Sequence, residues 1–368
     1  MEKDSRDLPA LVLLNRTPGI RSTGLEPLMA QGLGPSEILE RVRDGIHPPW
    51  KESLEATEKV FNPEKEIERA HDLGIALVPF SDPYYPFLLN EISDPPLLLY
   101  LRGEILDSDQ ASVAVVGSRH PSLYGLEQAK RFSEKLAEWG ITIVSGFARG
   151  VDREAHEAAL SVRYGRTVAV LGSGLDVIYP KEHQNLYEET AERGAILSEF
   201  ALGTPPLAEN FPKRNRIIAG LSLGVLVIEA HSRSGSLITA HLAAEEGREV
   251  FALPGRIDQL GSRGTHRLIK EGAALVESPR EVLETLSPQL WPLIPESSFA
   301  DLTGEERTFL DLFRGSGLSL DQAARNASLT LGAAAATLTR LELKGILRKR
   351  LDGQYERVKG KEKDLNVS

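Results

Sequence analysis

Val113-Ala-Val-Val-Gly-Ser-Arg119 opens the stretch that decides the fold. An unbroken apolar run ends in Gly and Ser, and an amphipathic pattern follows over Leu126–Trp139. Apolar side chains at every position, rather than every second one, suit a strand buried on both faces. The unit recurs downstream. Strand-like runs are Val113–Val116, Ile141–Val144, Thr167–Leu171, Ala195–Leu197, Val225–Ile228 and Val250–Leu253. Helical patterns lie between them at Leu126–Trp139, Asp152–Leu160, His183–Arg193, Ser236–Glu246 and Arg263–Lys270. About six or seven such βα units predict one doubly wound α/β fold with a parallel sheet.

Before this core, short apolar-periodic stretches (Leu11–Leu14, Ile38–Val42, Glu66–Leu73) predict several small helices. A Pro-punctuated extended run follows, Asp82-Pro-Tyr-Tyr-Pro-Phe-Leu-Leu and Asp94-Pro-Pro-Leu-Leu-Leu-Tyr. After the core, Ser287-Pro-Gln-Leu-Trp-Pro-Leu-Ile-Pro reads as a linker. Helical patterns over Gly304–Phe313, Ser319–Asn326 and Leu331–Lys344 then precede a basic hairpin, Ile346–Val358, with Asp352-Gly353 at its turn. Three helices and a wing predict a winged-helix domain. The expected boundaries are a helical segment at 1–80, the α/β domain at 81–287, the linker at 288–300, the winged helix at 301–360 and a charged tail at 361–368.

Composition narrows the function classes. With 41% hydrophobic and 26% charged residues, 32 Gly and 22 Pro in 368, the chain is neither collagen-like nor wholly disordered. The absence of cysteine excludes disulfides, thiolate catalysis and Cys-ligated metal. No apolar run approaches the ~18 residues of a membrane span, so a soluble cytoplasmic protein with no membrane contact is expected. The net charge of −10 argues against bulk electrostatic coating of a polyanion. That charge is uneven: −9 falls in residues 1–110, −2 in 111–290 and +1 in 291–368.

Open α/β sheets bind ligands beyond the carboxyl ends of their strands. The loops there are Gly117-Ser118-Arg119, Ser145-Gly146-Phe147-Ala148-Arg149, Gly172 through Lys181, Phe211 through Arg216, Glu229 through Ser236, and Pro254-Gly255-Arg256. Nearly every one supplies Gly or Ser, which let backbone N–H groups approach an anion, and each supplies a Lys or Arg that neutralises it. Repetition over six loops suits several phosphates in a row, or a phosphate bearing sugar and base. Candidate contacts are Gly117, Ser118, Arg119, Ser145, Gly146, Lys181, Lys213, Arg214, Asn215, Arg216 and Arg233. Phe147, Tyr179 and Phe211 either stack on bases or pack beneath the loops. Asp152 and His156, four residues apart on a helix, read as an N-terminal cap and a satisfied buried histidine. The dinucleotide fingerprint and the P-loop are both missing, and no cofactor is expected.

These strings resemble the DNA-processing protein A (DprA/Smf) family: Val115-Val-Gly-Ser-Arg, Ser145-Gly-Phe-Ala-Arg-Gly-Val-Asp-Arg-Glu-Ala-His156, Gly172-Ser-Gly-Leu-Asp-Val-Ile-Tyr-Pro180, Phe211-Pro-Lys-Arg-Asn-Arg-Ile-Ile-Ala-Gly220, Ser234-Gly-Ser-Leu-Ile-Thr-Ala240 and Val250-Phe-Ala-Leu-Pro-Gly255. The two Pro-containing strings near 82 and 94 belong to the same set. The resemblance implies an extended Rossmann-like sheet flanked by a small N-terminal helical (SAM-like) domain and a C-terminal winged helix. It implies a non-catalytic homodimer that binds and protects single-stranded DNA in natural transformation and loads the RecA recombinase, with single-strand binding protein as a further partner. By motif match, Arg119, Lys181, Arg214 and Arg216 would contact phosphate; Lys213 joins them on charge alone. His183 and His266 stand where relatives often have Asn.

Two other readings remain. A nucleotide-processing enzyme of the phosphoribohydrolase-like group would carry Pro-Gly-Gly-x-Gly-Thr-x-x-Glu; His231-Ser-Arg-Ser-Gly-Ser-Leu-Ile-Thr-Ala lacks its carboxylate. A winged-helix regulator would read duplex through Leu331–Leu343, where Arg340 is the sole cation. Arg348, Lys349 and Arg350 offer a second nucleic-acid or partner contact, or an exposed charged face.

Overall fold

Seven parallel strands lie side by side in a single sheet, and the first of them in sequence sits in its interior. The computed structural model describes residues 4–290, 304–313, 317–343, 347–349 and 353–357. They divide into two units, Met1–Gln289 and Leu290–Ser368.

In the first unit the strands are β1 (Ala76–Pro79), β2 (Leu98–Gly103), β3 (Ser112–Val116), β4 (Thr142–Ser145), β5 (Thr167–Val170), β6 (Ala195–Ser198), β7 (Gly224–Val227), β8 (Glu249–Ala252) and β9 (Ala274–Leu275). They lie in the order β1-β2-β6-β5-β4-β3-β7-β8-β9. The run from β6 to β9 in that order is parallel, while β1 and β2 join antiparallel at one edge. The fold is α/β with a Rossmann-like, doubly wound sheet. β3 through β7 are buried at every residue, which is why their sequences carry no polar alternation. The sheet begins at Ala76, so it takes in residues that the sequence reading gave to the helical segment ending at 80.

Five helices precede the sheet: α1 (Asp4–Arg16), α2 (Ser22–Met29), α3 (Pro35–Arg43), α4 (Pro48–Glu58) and α5 (Pro63–Asp72). Their apolar faces share one core with the sheet. Leu11, Leu14, Ile38 and Leu54 cluster with Leu98, Tyr100, Leu171, Tyr187 and Ile196. Polar clips reinforce the join: the Leu202 N–H donates to Glu66 at 2.7 Å, and Arg69 to Asp176 at 2.5 Å.

The remaining helices are α6 (Phe87–Asn90), α7 (Leu123–Glu138), α8 (Val151–Ser161), α9 (Gln184–Arg193), α10 (Asn210–Gly220), α11 (Gly235–Glu245), α12 (Arg263–Lys270) and α13 (Pro279–Leu290). α10 corrects the sequence reading, which ended a long loop at Phe211–Arg216. Pro212 sits in its first turn, where no N–H is needed for an intrahelical bond. Its buried face includes Asn210, Arg214 and Asn215, so the apolar period that announces a helix is absent until Ile217. α10 carries the chain from β6 back across the sheet to β7.

The second unit holds α14 (Gly304–Asp311), α15 (Leu320–Ala327), α16 (Leu331–Leu343) and an antiparallel hairpin of β10 (Leu347–Lys349) and β11 (Tyr355–Arg357). Phe309, Phe313, Ala323, Leu338, Leu341 and Leu347 form its core. Ser319 and Gln322 cap α15 reciprocally, at 3.3 and 2.8 Å. The expected linker beyond residue 290, Arg350 and the tail lie outside the described residues. Among the described residues no helix is long and apolar enough to cross a membrane.

Candidate nucleic-acid interface

The turns after β3 and β4 are locked together by backbone. Ser118 accepts the Val151 N–H on its carbonyl at 3.1 Å and the His120 N–H on its hydroxyl at 3.1 Å. Gly150 has φ +78°, and a Cβ there would stand 2.4 Å from the Ser118 oxygen. Glycine is therefore required for the second loop to close on the first. Ser145 is fully buried and its hydroxyl donates to the Val115 carbonyl at 2.6 Å. Its hydroxyl thus serves the sheet.

Between these turns, β5 and α10 lies a pocket lined by Arg119, Gly146, Arg149, Ser173, Tyr179 and Phe211, among others. The exposed Arg119 places its guanidinium 5.0 Å from the centre of the Phe211 ring, and Tyr179 tilts against the same ring at 6.1 Å. Tyr179 is exposed and Phe211 half-buried, so both present ring surface to the pocket. Phe147 does not. Its ring is wholly enclosed by His156, His183 and Tyr187, with centroids 5.3–6.3 Å away, so it has no face to offer a base.

The cations of α10 also separate. Arg214 is 3% exposed. Its guanidinium donates to the Gly146 and Val170 carbonyls, and its Nε to Asn215 Oδ1 at 3.2 Å. A Cβ on Gly146 would come within 2.6 Å of that guanidinium, so Gly146 admits an arginine beneath the pocket floor. Burial pushes the Arg214 pKa down to about 10, against the pull of Asp152. Burial also raises Asp152, opposed first by Arg214 and then by the Ala148 N–H. This buried pair organises the floor, and Arg214 has no exposed edge for phosphate. Asn215 is likewise structural, donating to the Gly235 carbonyl at 3.3 Å. Arg216 is gripped by both Glu199 oxygens at 2.7 Å and by the Asp94 carbonyl at 2.9 Å. Its charge is already neutralised. Lys213 is exposed on the opposite face of α10 from Phe211, outside the pocket.

Lys181 is exposed at the turn that follows Pro180. Gly117 and the buried Ser118 shape the first turn, and Arg233 is exposed after β7 but does not line the pocket. Arg149 was missing from the candidate set, although its loop repeats the small-residue-then-arginine pattern of Gly117-Ser118-Arg119. It lines the pocket and donates to Glu182 at 2.5 Å; that bond raises the Arg149 pKa and lowers that of Glu182. His156 is enclosed, its Nδ1 paired with Thr167 at 2.7 Å, and burial pushes its pKa down to about 3. The side chains of Arg348 and Lys349 lie outside the described set.

A family profile described as DNA recombination-mediator protein A matches residues 76–287, the span from β1 into α13. The chain belongs to that family. Protein Smf of Escherichia coli is 53% identical over 226 residues, 61% of this chain and 60% of that protein. The match thus spans less than two thirds of that relative. DNA processing protein DprA of Streptococcus pneumoniae is 49% identical over 202 residues, 55% of this chain and 71% of its own length. The X-ray structure of the S. pneumoniae protein aligns with a TM-score of 0.64 and 36% identity, covering 77% of this chain and 97% of that one. A structure of the Helicobacter pylori protein, described in terms of its unique single-stranded DNA binding mode, aligns with a TM-score of 0.52 and 33% identity, over 56% of this chain and 94% of that one. The family span contains the whole pocket and leaves α1–α5 outside it.

Proposed function

We propose that this chain binds single-stranded DNA at the carboxyl rim of its sheet and acts as a recombination mediator. In this role it protects the strand and loads the RecA recombinase during natural transformation. The observation that carries the reading is the pairing of Arg119 with Phe211 and Tyr179 at the pocket mouth. A cation held against an aromatic step provides phosphate neutralisation and base stacking together, the combination single-strand binders use. Arg149 and Lys181 flank it. The single-strand binding described for the H. pylori relative supports the same assignment.

The proposal extends to a non-catalytic, cytoplasmic homodimer joined through the Rossmann-like sheet, and to a winged-helix role for 301–360. Fluorescence anisotropy with labelled oligo-dT and duplex of equal length tests the binding reading. It expects clear single-strand preference, weakened by Arg119→Ala. Equal affinity for both forms, or an Arg119→Ala protein indistinguishable from the parent, would overturn it.

A further inference from the structure

A second concave surface lies across α10 from the rim pocket. The turn between α1 and α2 forms one wall, Asp94–Leu97 and Glu199–Ala201 the floor, and the outer face of α10 the other wall. The helix is the shared partition. Phe211 and Arg214 project from it toward the pocket, while Asn210, Lys213 and Arg216 line the groove. The walls are fixed: Asn15 donates to the Glu199 carbonyl at 3.1 Å, and Ser22 to Asp94 at 3.2 Å.

The charge in the groove is asymmetric in its availability. Asp94 and Glu199 are engaged by Arg216, and Asp94 also by Arg21 at 3.3 Å. Arg16 and Lys213 are exposed and have no ion-pair partner among the described residues. Glu209 is the lining acid outside the Asp94–Glu199 network. The partly buried Phe200 adds an aromatic side chain to the groove lining. Arg16 lies 5.8 Å from the centre of the Phe61 ring, and cations free of ion pairs beside an aromatic repeat the chemistry of the rim on the far side of one helix, a thickness of about 10–12 Å.

We propose that this groove is a second segment of the single-strand path. Nucleotides flanking those at the rim cross α10 near Lys213 and lay their backbone between Lys213 and Arg16. This rests on the single-strand reading of the rim. It gives the N-terminal helices, which lie outside the family span, a direct part in binding.

The test is binding of the full chain to oligo-dT of about 4 and about 16 nucleotides, bracketing the range a single-strand site covers. The parent binds the longer strand more tightly. Arg16→Ala with Lys213→Ala lowers affinity for the long strand about 10- to 25-fold near 0.1 M salt and flattens its salt slope by about 1.4, the effect of two lost phosphate contacts at ~0.7 each. The short strand changes less than about twofold. Glu209→Gln, an exposed change that leaves folding intact, tightens binding of the long strand alone. Equal losses at both lengths, or an unchanged long strand, overturn the groove while the rim reading stands. Failure of the parent to bind either length removes both.

Discussion

Replacing Arg214 by alanine separates a scaffold arginine from a ligand arginine. Removal leaves the Gly146 and Val170 carbonyls without their donor and Asp152 buried without its facing cation. A hydrogen bond from a charged group contributes about 1.5–3 kcal/mol, and breaking a buried charge pair costs about 3–5 kcal/mol. These figures overlap because they describe the same contacts, so Arg214→Ala is expected to cost about 4 kcal/mol of unfolding free energy. That is a large share of a typical ~5–15 kcal/mol. Arg214→Lys keeps the charge without the fork and should recover about half of it. The assay is chemical denaturation of the full chain followed by the fluorescence of Trp50 and Trp139. Asp152 adds a pH signature. Its folded-state pKa is raised, and loss of Arg214 raises it further, so the folded state holds more protons than the unfolded one above the ordinary aspartate range. The variant therefore loses stability as pH rises through that window, and its deficit is smaller near about pH 4 than near about pH 8. A deficit below about 1 kcal/mol with binding abolished would refute the argument and make Arg214 a direct ligand contact.

Other consequences follow from the same geometry. Glu182→Gln removes the negative charge facing Arg149 at 2.5 Å and should tighten single-strand binding about threefold at low salt, read by anisotropy. Tyr179→Ala should cost about 1–3 kcal/mol of binding, the worth of one base stack, whereas Phe147→Leu should leave affinity unchanged and lower stability by about 1–2 kcal/mol. His156 is depressed to about 3, so the unfolded state binds a proton that the folded state refuses. Stability is then complete above about pH 6.5 and falls as pH drops toward 3, by up to about 1.4 kcal/mol per unit. His156→Gln should remove that part of the slope in denaturation measured across pH.

The sheet was legible because its strands are short, apolar at every position and separated by helical periods; all six anticipated strands are present. β9, with two residues, is too short to announce itself; β1 fell within the stretch given to the helical segment, and β2 begins at the end of the Pro-punctuated extended run. The site was less legible, for one reason. Arg214, Arg216 and Lys213 are near neighbours in sequence, yet a 100° step per residue sends Arg214 beneath the floor and the other two to the far side of α10, where Arg216 is held in an ion-pair network and Lys213 is exposed. A string of cations looks uniform until its helix is known. Phe147 was left open between stacking and packing for a similar reason, since an aromatic in a Gly-rich turn can face either solvent or core. Arg149 was readable from the loop pattern it repeats.

The central claim is that a few rim cations hold a single strand by its phosphates. The salt dependence of oligo-dT affinity, compared between the parent and the Arg119→Ala, Lys181→Ala double variant, measures that directly. Two lost contacts predict a slope flatter by about 1.4 in log affinity against log salt. An unchanged slope in a folded double variant would contradict the account, because the phosphates would then be held elsewhere.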